Sequence, residues 1–295
     1  MSAEGDKKLM ELRVLGAHNR ETATTKCTSL LIDDVLSIDA GSLTSCLTIS
    51  AQKRLKAVLL THAHFDHIRD IPAIALNLHR ECARIKVYST CEVRSMIETH
   101  LLNGEIYPRF QDLPRGWPTL QFKTMRPYEP EIIYGYEVIA IPVNHSVTAV
   151  GYQVSDSRGN AVFYTGDTGP FLVDSLRDLC PQILVTEVTF SDRYSPLAAD
   201  TGHLTPSGLH NVLVGFRRLK GYVPGIIVVH MDPAMEKEIS EEIEEVASDL
   251  GASITVARAD MLVPVPAPAP SPAPSPAASI TGKRYQGYTV VNYIP

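Results

Sequence analysis

Thr61-His62-Ala63-His64-Phe65-Asp66-His67 comes directly after the apolar run Lys56-Ala57-Val58-Leu59-Leu60. In extended backbone His62 and His64 project to one side, because side-chain direction along a strand has a period of two. A turn immediately after the strand lets Asp66 and His67 face the same cavity from another direction. Neutral imidazole and carboxylate are the ligand types that suit zinc and similar divalent cations. Four of them in six residues exceed what a solvated loop gathers by chance.

One run cannot complete two metal coordination spheres, so polar residues just beyond other apolar strands are the next place to look. Ile139-Ala140-Ile141-Pro142-Val143-Asn144-His145-Ser146 carries a histidine near its end. Val162-Phe163-Tyr164-Thr165-Gly166-Asp167-Thr168-Gly169 sets an aspartate between glycines, and Ile226-Ile227-Val228-Val229-His230 closes on a histidine. Singly each is weak, since a lone histidine after a strand is more often structural. With the opening run they make one constellation.

Working outward, candidate strands fall at residues 11–15, 29–32, 35–39, 57–61, 86–88, 120–124, 131–141, 149–155, 161–165, 183–186, 226–229 and 253–256. Candidate helices span 71–82, 92–102, 170–179, 205–220 and 236–250. Thr205-Pro206 supplies a capping residue followed by proline at the first helical position. Strands with helices between and outside them imply an α/β layered fold, and the pattern alone leaves open one mixed sheet or two packed ones.

The chain has 295 residues, 44% hydrophobic and 20% charged, an ordinary globular balance. No apolar run reaches the roughly 18–20 residues of a membrane span, and Met1-Ser2-Ala3-Glu4-Gly5-Asp6-Lys7-Lys8 lacks the apolar core of a secretory signal. A cytoplasmic protein with no membrane partner is the expectation. A formal charge of −6 argues against broad nucleic-acid binding. The one basic cluster, Arg217-Arg218-Leu219-Lys220, lies in a helical pattern and reads as a solvated helix face. The five cysteines are scattered without a Cys-x-x-Cys pair, and most read as small buried hydrophobes. Residues 263–279, dominated by Pro, Ala and Ser, read as a linker, and 280–295 as a short tail. The expected division is therefore a 1–262 domain, a linker and a tail.

The order His-x-His-x-Asp-His, His, Asp, His resembles the metal-site pattern of the metallo-β-lactamase-fold superfamily over nearly all of residues 9–264. That resemblance implies a four-layer αββα sandwich with metals at one edge. Carried over position by position, it implies that His62, His64 and His145 hold one divalent ion, that Asp66, His67 and His230 hold the other, and that Asp167 bridges them. Two zinc ions are the expected complement, with manganese and iron as alternatives within the superfamily. A dinuclear site activates water without a protein nucleophile, and the chain shows no Gly-x-Ser-x-Gly elbow that would suggest a serine hydrolase.

Thr186-Glu187-Val188-Thr189-Phe190 and Thr201-Gly202-His203-Leu204-Thr205-Pro206 resemble motifs of the superfamily's phosphodiesterases. The resemblance implies catalytic roles for Asp66 and for His203 oriented by Glu187, with His203 protonating the leaving alkoxide or stabilising the transition state. His203 as a plain helix-start residue is the alternative. Within those branches the chain is most similar to class II 3′,5′-cyclic-nucleotide phosphodiesterases. The shared stretches are Thr99-His100-Leu101-Leu102-Asn103-Gly104-Glu105-Ile106-Tyr107-Pro108-Arg109-Phe110 and His230-Met231-Asp232-Pro233. By resemblance His100 and Asn103 become substrate-contact candidates. Phe65 stands where that family usually has leucine, and Arg69-Asp70-Ile71-Pro72-Ala73 replaces its small-residue stretch.

A small phosphodiester is thus the expected substrate, and a homodimer fits the family habit. The rival enzyme reading is a tRNA 3′-end-processing endoribonuclease, whose long RNA-gripping arm has no counterpart between His145 and Asp167. A non-catalytic, metal-binding regulatory protein of the same fold is the reading from another class. His18, His79 and His210 read as loop or packing histidines. Asp39 reads equally well as a turn residue or as an acceptor for a ligand imidazole.

Overall fold

The computed structural model describes residues 9–170 and 172–268. Its first sheet is built from β1 (Glu11–Gly16), β2 (Ser29–Ile32), β3 (Leu36–Ile38), β4 (Ala57–Leu59), β5 (Ile85–Ser89) and β6 (Leu120–Thr124). The second uses β7 (Glu131–Ile133), β8 (Tyr136–Pro142), β9 (Val150–Ser155), β10 (Ala161–Tyr164), β11 (Ile183–Glu187), β12 (Gly225–Val229) and β13 (Ile254–Val256). A last strand, β14 (Met261–Pro264), returns to the first sheet. The strand orders are β14-β1-β2-β3-β4-β5-β6 and β13-β12-β11-β10-β9-β8-β7.

Side-chain alternation explains why two sheets pack together. Leu30, Ile32, Leu36, Ile38 and Leu59 point inward to meet Val138, Ala140, Tyr152, Val162, Tyr164, Val185 and Val229 of the other sheet. Their neighbours Leu31, Val58 and Leu60 point the opposite way into a second core. Strands buried on both faces are therefore continuously apolar rather than alternating, whatever the direction of their neighbours.

The outer face of the first sheet is covered by α1 (Leu43–Cys46), α2 (Ile49–Arg54), α3 (Phe65–Ile68), α4 (Ile71–Arg80) and α5 (Cys91–His100). Leu43, Ile68, Ile71, Ile74, Leu78, Val93 and Ile97 contribute the apolar stripe. On the second sheet lie α6 (Leu172–Ser175), α7 (Ser195–Thr201), α8 (Pro206–Lys220) and α9 (Glu236–Leu250). Leu209, Leu213, Phe216, Ile239, Ile243 and Val246 fill the core beneath α8 and α9. The result is the αββα sandwich. Among the described residues no helix is long and apolar enough to cross a membrane.

Several expected elements differ. The 131–141 strand is a hairpin, β7 turning into β8 at Tyr134-Gly135, both with positive φ (49° and 92°). Glycine makes that turn accessible, and β-branched residues on both sides had hidden it. The 170–179 helix shortens to α6. The short helices α1, α2, α3 and α7 escaped the periodicity search because each offers less than two turns of pattern. The sheet also continues past the expected boundary at 262, since β14 pairs with β1 from Met261 to Pro264 and the buried Val265 donates its N–H to Met10 O at 2.8 Å. Residues 269–295, which hold most of the linker and the whole tail, lie outside the described residues. Of the cysteines only Cys27 is buried; Cys82, Cys91 and Cys180 are exposed on surface turns and helix starts, contrary to the expectation for most of them.

α8 begins as the sequence predicts. Thr205 Oγ1 accepts from Gly208 N at 3.3 Å, Pro206 opens the first turn, and Arg217, Arg218 and Lys220 sit in the last turn, where cations favour the helix dipole.

Candidate metal centre

Every strand that feeds the cluster ends at the same edge of the sandwich. β4 runs parallel to β3 and β5, and the chain leaving its C-terminal end carries His62 and His64 before α3 begins at Phe65. β8 delivers His145 through the loop to β9, β10 delivers Asp167, and β12 delivers His230. The two sheets are fastened together there, with Val150 N donating to Thr61 O at 3.0 Å.

Six imidazole and carboxylate residues converge around Asp167, which is 1% exposed. His62, His64, His145 and Asp167 each offer a ligand atom within 4.8 Å of the others, as do Asp66, His67 and His230. A third grouping of the same span joins Asp167, His203 and His230. Asp167 Oδ2 is 3.5 Å from His62 Nε2, 3.8 Å from His145 Nε2 and 3.4 Å from His230 Nε2, and Oδ1 is 3.3 Å from His67 Nε2. Asp167 thus lies within 3.8 Å of rings from both sets.

The outward nitrogen of almost every ring is tied down, which aims the other one into the cluster. His67 Nδ1 lies 2.7 Å from Asp39 Oδ2, His62 Nδ1 3.0 Å from Thr61 Oγ1, and His145 Nδ1 2.8 Å from Gly202 O. His230 Nδ1 lies 2.8 Å from Thr189 Oγ1. Thr61 Oγ1 itself donates to Asp39, and Asp39 also accepts from Thr61 N at 2.9 Å. With protons on those Nδ1 atoms, the inward Nε2 atoms bear lone pairs. His67 Nε2 then faces His230 Nε2 at 3.2 Å, and His230 Nε2 faces Asp66 Oδ2 at 3.1 Å. His62 Nε2 is buried and makes no hydrogen bond. Acceptors crowded against acceptors in a largely buried cluster call for positive charge between them, so this donor set fits divalent cations.

Electrostatics agree with that account. Burial holds His62 well below the ordinary imidazole range, and burial also lowers His64 and His145, so these rings are neutral and ready to ligate. Burial acts against charge on His67 too, yet Asp167, Asp39 and Asp66 raise it well above that range. Asp167 is pulled far down despite its burial by His230, His67 and His62.

Beside the cluster, His203 Nδ1 donates to Glu187 Oε1 at 2.7 Å. Burial opposes charge on His203, but the Glu187 carboxylate overrides it and lifts the ring to about 9. Glu187 is fully buried at the end of β11 and also accepts from Thr168 N at 3.0 Å. The His203 ring stacks on His230 at 5.6 Å between centroids and meets Phe190 edge-on.

His100 and Asn103 are not brought to this site. β6 starts where Leu120 N donates to Phe110 O, so the 100–110 segment borders the N-terminal ends of the parallel strands β5 and β6. The candidate metal ligands leave the opposite, C-terminal ends. His100 is exposed at the end of α5, and Asn103 Oδ1 caps its own turn by accepting from Glu105 N and Ile106 N at 2.9 Å. Within that segment Phe110 packs on the His79 ring.

Two contributors were undecided or missed. Asp39, at φ 60° and fully buried, pairs with the His67 ring at 2.7 Å and is more than a turn residue. Thr189 had a readable signal, since in extended chain it shares a side with Glu187 two positions earlier. His18 pairs with Glu236, His79 with Thr119 and His210 with Asp249, all apart from the cluster.

Comparison with known proteins follows the same lines. A family model described as "Beta-lactamase superfamily domain" matches residues 28–257. A UPF0173 metal-dependent hydrolase of Myxococcus xanthus is 31% identical over 121 residues, 40% of this chain and 39% of that protein. Ribonuclease Z of Pyrococcus horikoshii is 30% identical over 114 residues, 36% of this chain and 34% of that protein. The matches thus span well under half the length of these curated relatives. The structure of unliganded yeast PDE1 is similar in fold, with a TM-score of 0.71 at 16% identity over 86% of this chain and 99% of that one.

Proposed function

The chain belongs to the beta-lactamase superfamily, and on that premise we propose that it is a metal-dependent phosphodiesterase that converts 3′,5′-cyclic nucleotides to 5′-nucleotides. The observation that carries this reading is the His203–Glu187 pair held against the ligand cluster. Two divalent cations, zinc by preference, would be held by His62, His64 and His145 on one side and by Asp66, His67 and His230 on the other, with Asp167 between. Such a pair supplies an activated water and neutralises charge on the phosphoryl group.

The remaining work falls to side chains. Glu187 holds the His203 ring and keeps it protonated, so its Nε2–H can stabilise a phosphoryl oxygen or pass a proton to the departing alkoxide. Asp66, whose carboxylate lies against His230 and is partly open to solvent, would orient the attacking water as well as ligate. Asp39 and Thr61 fix the rings from behind.

A small substrate is favoured over a tRNA precursor. Between His145 and Asp167 the chain forms only the hairpin of β9 and β10, with no arm, and the net charge of −6 offers no phosphate-tracking stripe. Incubating metal-loaded protein with cyclic AMP, cyclic GMP, a tRNA precursor and bis-p-nitrophenyl phosphate tests the proposal. Release of 5′-nucleotide supports it. Cleavage of the tRNA precursor alone would replace it with the endoribonuclease reading, and inertness toward all four would remove catalysis from the account.

A further inference from the structure

Thr189 sits at a junction that the reaction as described leaves unused. It is 1% exposed, just beyond β11. Its Oγ1 lies 2.7 Å from Glu187 Oε2, 2.8 Å from His230 Nδ1 and 3.2 Å from His203 Nδ1. A hydroxyl has one proton and two lone pairs, so these contacts cannot be assigned freely. His203 commits its Nδ1 proton to Glu187 Oε1 at 2.7 Å. Glu187, as carboxylate, has nothing to donate, so the Thr189 proton must go to Oε2. Thr189 Oγ1 is then left as acceptor for the Nδ1 proton of His230. The hydrogen bonds therefore run in one direction, from His230 to Thr189 to Glu187, with His203 arriving at the other carboxylate oxygen.

We propose that Thr189 is a positioning residue that couples cation binding at His230 to the orientation of His203. A cation on His230 Nε2 keeps the proton on Nδ1, which keeps the Thr189 hydroxyl turned toward Glu187. Glu187 is then held at both oxygens, Oε1 by His203 and Thr168 N and Oε2 by Thr189 and Leu204 N. When His230 loses that tautomer, Thr189 is free to rotate and Glu187 Oε2 loses its side-chain donor, keeping only the longer 3.3 Å bond from Leu204 N. The proposal rests on the hydrolase reading for its kinetic consequence but not for its effect on the metal site.

The test uses full-length protein with Thr189→Val, which keeps the shape and deletes the hydroxyl, and Thr189→Ser, which keeps the hydroxyl. Cobalt(II) added to metal-stripped protein reports on the His230 site through its visible absorption spectrum. Thr189→Val should shift that spectrum and weaken cobalt binding by about 10- to 100-fold, the usual effect of removing a partner of a ligand imidazole. With bis-p-nitrophenyl phosphate, kcat should fall on the order of 10²-fold, within the range of acid-base catalysis, while KM stays nearly unchanged. Thr189→Ser should restore both. In a His203→Ala background, Thr189→Val should cost little further kcat, because the group it positions is gone. A wild-type cobalt spectrum in Thr189→Val, equal damage in Thr189→Ser, or multiplicative losses with His203→Ala would overturn the proposal. If Thr189→Val does not fold, Thr189→Ala against Thr189→Ser gives the same contrast, and equal impairment of the two is again a refutation. Wild-type protein inert to phosphodiesters would sink the function proposed above while leaving the cobalt comparison decisive for Thr189.

Discussion

Replacing Asp39 by Asn should weaken metal binding far more than it weakens the fold. Asn has the same shape and, like Asp, tolerates the left-handed backbone found at φ 60°. The difference lies in the donors. Asp39 accepts from His67 on Oδ2 at 2.7 Å and from Thr61 N on Oδ1 at 2.9 Å, and it is fully buried. An amide has one acceptor oxygen for these two positions. When a cation occupies His67 Nε2, the ring's proton must sit on Nδ1 and takes that oxygen, so the NH2 group is left facing the Thr61 N–H. In the metal-free variant one of the three carboxylates that raise His67 is gone, and a neutral His67 can carry its proton on Nε2 and accept from the amide on Nδ1, which removes the conflict. A buried donor without an acceptor costs about 1–3 kcal/mol, which at about 1.4 kcal/mol per factor of ten corresponds to about a 5- to 150-fold loss of affinity. Competition for Zn2+ against a chromophoric chelator measures the first quantity, and urea unfolding of metal-stripped protein measures the second. Affinity within twofold of wild type, or a metal-free stability loss as large as the affinity loss, would refute the tautomer argument.

His203→Ala should retain metal and lose kcat by about 10²- to 10⁴-fold, the range of a general acid; equal loss of metal by elemental analysis would show that His203 is a ligand instead. In metal-free protein the Glu187-raised His203 should stabilise the fold fully below its ordinary value of 6.5, with that contribution disappearing as pH rises through about 9. Comparing unfolding midpoints at the two ends of that window should therefore show a drop in wild type that Glu187→Gln lacks. Gly41→Ala should disturb the ligand loop, because an added Cβ would stand 2.3 Å from Asp66 O and 2.7 Å from Thr28 O; an unchanged metal stoichiometry and melting temperature would contradict this. Removing metal with a chelator should abolish hydrolysis and lower the melting temperature together, with both restored by Zn2+.

The candidate ligands were legible because each group stands just beyond an apolar strand, as with Val229 before His230. The sandwich was not legible from pattern alone. Leu30, Leu31 and Ile32 form an unbroken apolar run, and only the folded sheets reveal that alternate members face different cores. The residues that orient the ligands were harder still. Asp39 is 28 positions from His67 and Thr189 is 41 from His230, so their pairing depends on strand order and leaves no local spacing to read. His100 and Asn103 show the converse, a distinctive local sequence that the parallel strands carry to the far edge.

The placement of ligands on both sheets has a mechanical consequence. His67 and His230 are separated by 163 positions, and His64 and His145 by 81. An ion shared within either pair is a noncovalent cross-link that closes a very long loop, and in the chain-entropy view a tie across on the order of 100 residues removes several kcal/mol of disorder from the unfolded chain. Because the ties lie at one edge only, they clamp the seam where the sheets meet and leave the opposite edge to apolar packing. Metal-free protein should therefore open like a book hinged away from the ligands, and hydrogen exchange at the ends of β4, β10 and β12 should slow on metal binding before exchange anywhere else.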